Sequence, residues 1–194
     1  MTTKKLGLSV VAALALFSVP AFAQDNEYAA PLTELANGQL RAIAQNPALV
    51  AAIVAQNAET AAFDAAQIEA LDQQWRGEVD AAAKPLIDKV MATEASAALV
   101  AAQNDSAGMF TEIFATDAVG LNVAQSTVTS DYWQGDEDKF SKTFSVGADA
   151  VFLGEVEQDE STQTYQSQVS ITVVDPATGS PIGSITAGVD LSML

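Results

Sequence analysis

The composition of the chain changes near residue 108, and this change constrains the fold more than any other feature. Before it, Ala, Gln, Glu and Leu dominate, all good helix formers. After it, Val, Ile, Thr, Phe and Gly form short runs separated by turn residues. Helices first and strands afterwards, not interleaved, predict an α+β domain.

The helical half carries readable punctuation. Residues 28–45 place Leu32, Leu35, Leu40 and Ile43 at roughly helical spacing and predict one helix. Asn46 before Pro47 is an N-cap followed by proline at the first helical position, so a short helix starts there; Asn57 is expected to end it. Asp64 with Gln67 resembles a capping box and opens a helix carrying Ile68, Leu71 and Trp75. Pro85 marks a further start, and residues 94–103 read as one more helix.

The second half alternates with period two. Tyr165, Ser167, Val169, Ile171 and Val173 share one face, while Gln166, Gln168, Ser170 and Thr172 share the other, the pattern of a half-buried antiparallel strand. Residues 175–179, Asp-Pro-Ala-Thr-Gly, make a turn that returns the chain through 182–189 as a hairpin. Residues 110–115 and 121–125 flank Asp117-Ala118-Val119-Gly120 as a second hairpin, and residues 148–157 supply a fifth strand.

The N-terminus reads as a secretory leader. Lys4 and Lys5 precede an apolar run from Leu6 to Phe22, which ends in Ala21-Phe22-Ala23. Cleavage is expected after Ala23, leaving residues 24–194 as a single domain in the periplasm. The run is short for a spanning helix, which needs roughly 20 apolar residues. Net charge is −17 at pH 7, and loss of the two leader lysines makes it more negative still. Such a chain repels nucleic acid and anionic membranes. With no Cys and no His, it lacks the thiolate nucleophile, the commonest general base and the usual transition-metal ligands. No Gly-x-Ser-x-Gly or Walker loop is present, and no carboxylate pair stands out by spacing. No enzymatic activity, cofactor or metal is therefore expected.

Four motifs in order resemble the Cache family of PAS-like periplasmic sensor domains. Asn46-Pro47-Ala48-Leu49-Val50 followed by Ala52-Ile53 is similar to the short helix after that family's long first helix. Asp117-x-x-Gly120-Leu121-x-Val123-Ala124-x-Ser126 looks like its first hairpin. Residues 131–137, Asp-Tyr-Trp-Gln-Gly-Asp-Glu, resemble the loop lying over its sheet, and residues 182–190 its last strand. The resemblance implies a long N-terminal helix packed behind a central antiparallel sheet of about five strands. It also implies a small-molecule site between the sheet and the covering loop, helix-mediated homodimers, and output through a membrane histidine kinase or chemoreceptor. Because the sequence runs only to Leu194, a stand-alone sensor is expected. Amino-acid-binding members carry Arg-x-Trp-Tyr in the covering loop. The comparable Asp131-Tyr132-Trp133 has no arginine, and the overall charge favours a neutral or cationic ligand.

Tyr132 and Trp133 are the first ligand-site candidates, able to wall a pocket or, equally, to close a core beneath the loop. Asp131 beside them suits a cationic or hydroxylated group. Phe152 and Tyr165, on strands, are further candidates whose face alternation leaves open. Asp136-Glu137-Asp138 lacks the alternating spacing of a calcium loop and reads as solvated. Arg76 is expected to pair with a nearby carboxylate. The alternative function is a structural or interaction accessory protein that dimerises, or docks on a membrane receptor without a ligand of its own.

Overall fold

The structure, a computed structural model, describes residues 27–158 and 164–194. The leader and residues 159–163 lie outside the described residues. The first helix opens as α1 (Ala29–Leu35), passes through a π-helical turn (Ala36–Leu40) and continues as α2 (Arg41–Ala44). One uninterrupted helix was the expectation, and the apolar spacing explains the difference. Leu35 and Leu40 are five apart, which a 3.6-residue period turns to different sides. The π turn takes up the additional residue, so Leu32, Leu35 and Leu40 are all buried.

Helix α3 (Pro47–Thr60) starts as read, with Asn46 Oδ1 accepting the Ala48 N–H at 2.9 Å. It runs past Asn57 because that side chain is engaged elsewhere. Its Nδ2 donates to the Ile182 carbonyl and its Oδ1 accepts the Ala118 N–H, both at 2.7 Å. Helix α4 (Ala65–Val79) carries the complete Asp64/Gln67 capping box, and α5 (Pro85–Met91) and α6 (Glu94–Asp105) follow.

Six strands form one antiparallel sheet among the described residues: β1 (Phe110–Thr116), β2 (Asn122–Gln125), β3 (Val151–Leu153), β4 (Glu157–Gln158), β5 (Tyr165–Val174) and β6 (Pro181–Asp190). Their order is β2-β1-β6-β5-β3, with β4 also on β5. The expected fifth strand over 148–157 is thus two pieces. Gly154 still donates its N–H to the Gln168 carbonyl at 2.7 Å, and the chain then leaves the ladder before β4.

Register sorts the side chains into two faces. Ala115, Ile185, Ile171 and Val151 form one crosswise row, and Ile113, Ala187, Val169 and Leu153 the next. These rows meet α1 to α3 and α6 in the main core, where each fully buried aliphatic contributes about 2 kcal/mol. On the opposite face, Gln125, Phe114, Thr186, Ser170 and Phe152 form a row across five strands. Thr116, Ser184 and Thr172 flank it on one side, and Glu112, Gly188 and Gln168 on the other.

Alternation marks this as the polar face, and Ser170, Thr172, Ser184 and Thr186 on it are buried too. Residues 126–150, including α7 (Asp138–Ser141), cross over it. The hydroxyls are satisfied in cross-strand pairs, Thr116 with Ser184 and Ser170 with Thr186, each at 2.8 Å, while Thr172 donates to the Gly147 carbonyl.

Candidate functional site

The covering segment is fixed at its start, beside β2. Residues 132–134 run antiparallel to 120–122, with Asn122 N–H donating to Tyr132 O at 2.9 Å and Gln134 N–H to Gly120 O at 2.8 Å. Helix α4 clamps this stretch. Asp72 Oδ1 accepts the N–H of Tyr132 at 2.9 Å and of Trp133 at 3.0 Å. Burial pushes the Asp72 carboxyl pKa up, but the Trp133 N–H, the Arg76 guanidinium and the Tyr132 N–H together outweigh it and hold the value below the ordinary one. Arg76 pairs with Asp72 at 2.6 Å and reaches Asp131 at 3.3 Å, as a pairing arginine should.

The aromatic candidates complete a second core. Tyr132 stacks on Trp75 with centroids 5.0 Å apart, among Ile87, Val90 and Leu121. Burial, and then the Asp117 and Glu59 carboxylates, raise the Tyr132 hydroxyl pKa, with a Gln56 hydrogen bond acting against them. The phenol therefore stays neutral at physiological pH. Trp133 Nε1 donates to the Val119 carbonyl at 2.9 Å, its ring lying over Gly135. Gly120, at φ +87°, passes so close that a Cβ would sit 2.6 Å from Gly135 Cα. Beneath this end, the buried Asn122 Oδ1, Gln125 Nε2 and Gln134 Oε1 find no partner among the described residues.

Just past this clamped stretch, where α7 begins, the covering segment leaves a cleft of about 300 Å³ against the polar sheet face. Glu112, Gly188, Gln168 and Gln166 form its floor, with Ser167 beside them. Glu137 and Lys139 enter from the start of α7, and Gly154, Glu155 and Glu157 from the β3–β4 connection. Four glutamates thus face one lysine. Lys139 pairs with Glu137 at 2.8 Å, and its ammonium lies 5.3 Å from the centre of the Phe114 ring. Glu112 accepts from Gln168 Nε2 at 3.2 Å, and among the described residues Glu112, Glu155 and Glu157 form no ion pair. No group of three carboxylates there is arranged to hold a metal ion, again among the described residues.

The five residues singled out from sequence therefore separate. Asp131, Tyr132 and Trp133 lie together at the β2 edge. Phe152 sits across the sheet on β3, on the covering face opposite Ser170, with the Lys142 ammonium 5.2 Å from its ring centre. Tyr165 stands exposed at the start of β5, opposite Gln158. None of the five lines the cleft. Of its lining, Glu137 reads from sequence as part of a solvated acidic triplet, and Glu112, Gln168 and Gly188 read as strand positions with no sign of a site. Its other walls come from chain segments far apart in sequence, which only strand register brings together.

No protein-family model matches the sequence, and no curated protein does. Among solved structures, the chain is similar to the sensor domain of the histidine kinase DctB from V. cholerae, at 13% identity and a TM-score of 0.41 over 86% of this chain and 58% of that one. It is similar also to the ligand-binding domain of the amino-acid chemoreceptor PctC from Pseudomonas aeruginosa, solved with GABA, at 14% identity and a TM-score of 0.41 over 82% and 62%. A third is the ligand-binding domain of the chemoreceptor CtaA from Pseudomonas fluorescens, solved with L-alanine, at 13% identity and a TM-score of 0.37 over 84% and 61%. The chain spans about three fifths of the length of each. No described helix is long and apolar enough to cross a membrane. The chain's own order of elements, an interrupted first helix, short helices and then an antiparallel sheet with a segment laid across it, is the α+β architecture that the resemblance of its motifs to the Cache family implies.

Proposed function

We propose that this chain is a small-molecule-binding sensor domain whose ligand site is the cleft beside the start of α7. The observation that carries the reading is the cleft's makeup: hydrogen-bonding floor residues on rigid strands, walled by more carboxylates than the chain's own cations balance. Such a site selects a neutral or cationic compound bearing an amine and rejects a simple carboxylate. In this reading Glu112 and Gln168 contact the ligand from the floor, and Phe152, one row further along the same face, supports the wall. Tyr165 stands near the rim. Asp131, Tyr132 and Trp133 act by fixing the covering segment that forms the roof.

The leader and its cleavage motif support a periplasmic location after removal of residues 1–23. There the domain would report to a membrane histidine kinase or chemoreceptor, alone or as a homodimer through its Ala-rich first helix. We assign it no catalytic step.

The test is thermal unfolding of the purified protein against cationic, zwitterionic and anionic metabolites. Amine-bearing compounds should raise Tm, and the Glu112→Gln, Gln168→Leu double variant should lose that rise. If no class raises Tm, or if the double variant binds its ligand undiminished, the cleft is not the site.

A further inference from the structure

Lys139 occupies an unusual position for a lysine in so acidic a protein. Only 13% of its side chain is exposed. Its stem crosses the covering face, its ammonium lies over the Phe114 ring, and Glu137 holds it at 2.8 Å. Among the described residues it is the only cation in the cleft lining, opposite Glu112, Glu155 and Glu157. A lysine side chain is a butylammonium ion on a tether. An aromatic face, a carboxylate at hydrogen-bond distance and a surplus of further carboxylates are the groups that recognise a primary ammonium.

We propose that Lys139 is a built-in occupant of the cleft's ammonium subsite, standing where the ligand's amine binds. The inference rests on the cleft being the ligand site and names the ligand class as a primary alkylamine. Binding then requires the incoming ammonium to displace that of Lys139. The displaced residue lies in α7, one helical turn from Lys142, which pairs with Asp138 at 2.7 Å and faces Phe152. Lys139 therefore sets both the affinity threshold and the part of the roof that moves.

The experiment is titration calorimetry of n-butylamine, the side chain of Lys139 as a free molecule, into the wild-type protein and Lys139→Ala. The variant should bind n-butylammonium at least tenfold more tightly than wild type and should not bind n-butanol. Adding Glu137→Gln to Lys139→Ala should abolish the gain. Equal binding by wild type and variant, or equal binding of n-butanol and n-butylamine by the variant, would overturn the proposal. If Lys139→Ala does not fold, Lys139→Met retains the stem over Phe114, and the same gain is then expected for methylammonium. The two readings fail separately. A panel ligand that raises wild-type Tm and is unaffected by Glu112→Gln, Gln168→Leu removes the cleft as the sensor site, whatever butylamine does. A ligand lost in that double variant but bound equally by Lys139→Ala leaves the cleft as the site and removes only the role of Lys139.

Discussion

Two neighbouring stretches of the covering segment, residues 131–135 and the start of α7, solve opposite problems. At the β2 edge, backbone N–H groups, an aromatic stack and an ion pair converge on Asp72 and Trp75, and the charge of Asp72 is matched by Arg76. At the start of α7, the same segment meets the same sheet face beside open volume and three glutamates that form no ion pair among the described residues. The aromatic residues sit where the segment is held down, and the charge surplus sits where it is not. Residues that look like a binding motif in one dimension here hold the segment down, while the lining of the cleft collects from positions that carry no local motif.

The largest effect expected on this contrast is at the fastened end. Trp75 is completely buried and stacks on Tyr132. Trp75→Ala should cost about 4 kcal/mol in denaturant unfolding, the usual cost of emptying a buried aromatic site. A loss under about 1 kcal/mol would show that the second core collapses freely around the gap and that this end is not tightly fastened.

Next comes the clamp. Asp72→Ala strands the N–H groups of Tyr132 and Trp133, and should cost about 3 kcal/mol. Asp72→Asn keeps an acceptor at Oδ1 and should cost about 1 kcal/mol. The two variants compared by urea unfolding separate backbone anchoring from charge; equal losses would assign the clamp to the Arg76 ion pair alone.

The pH dependence has a definite sign. Because the folded-state pKa of Asp72 is depressed, its contribution is complete above the unfolded value of about 4 and is lost as pH falls through the lower folded value. Wild type should therefore lose part of its advantage over Asp72→Asn between pH 4 and 2. Parallel stability curves for the two proteins across that window would show that Asp72 titrates alike in both states.

Much of the fold was legible because its signals are local. Asn46-Pro47, the Asp64/Gln67 box and the period-two runs each act within a few residues, and each appears where expected. The misplaced boundaries share a physical cause. Asn57 is a helix terminator only while its amide is free, and here it bonds Ile182 and Ala118. The π turn at Ala36–Leu40 was visible in the five-residue step from Leu35 to Leu40, a signal that a 3.6-residue template averages away. The burial of the polar sheet face was not legible, since alternation reports which residues share a face and not what covers it. The cleft is least local of all: Glu112 and Gln168, which meet across β6, are 56 residues apart.

The smallest stability effect is expected at the cleft, and its sign is the informative part. Glu155 and Glu157 are exposed and form no ion pair among the described residues, so Glu155→Gln and Glu157→Gln should each change stability by less than about 0.5 kcal/mol. In a chain of net charge −17, removing such a carboxylate relieves self-repulsion, so the change should be a slight gain. Raising salt from 0.1 to 1 M shortens the screening length from about 10 to about 3 Å and should erase that gain. Amine binding should move the other way, weakening with each neutralised glutamate at low salt. A residue kept for structure would lower stability and binding together when removed. Opposite signs at Glu155 and Glu157, measured as Tm without ligand and as Kd for the amine, identify carboxylates retained against the interest of stability, whereas matching losses would make them part of the scaffold.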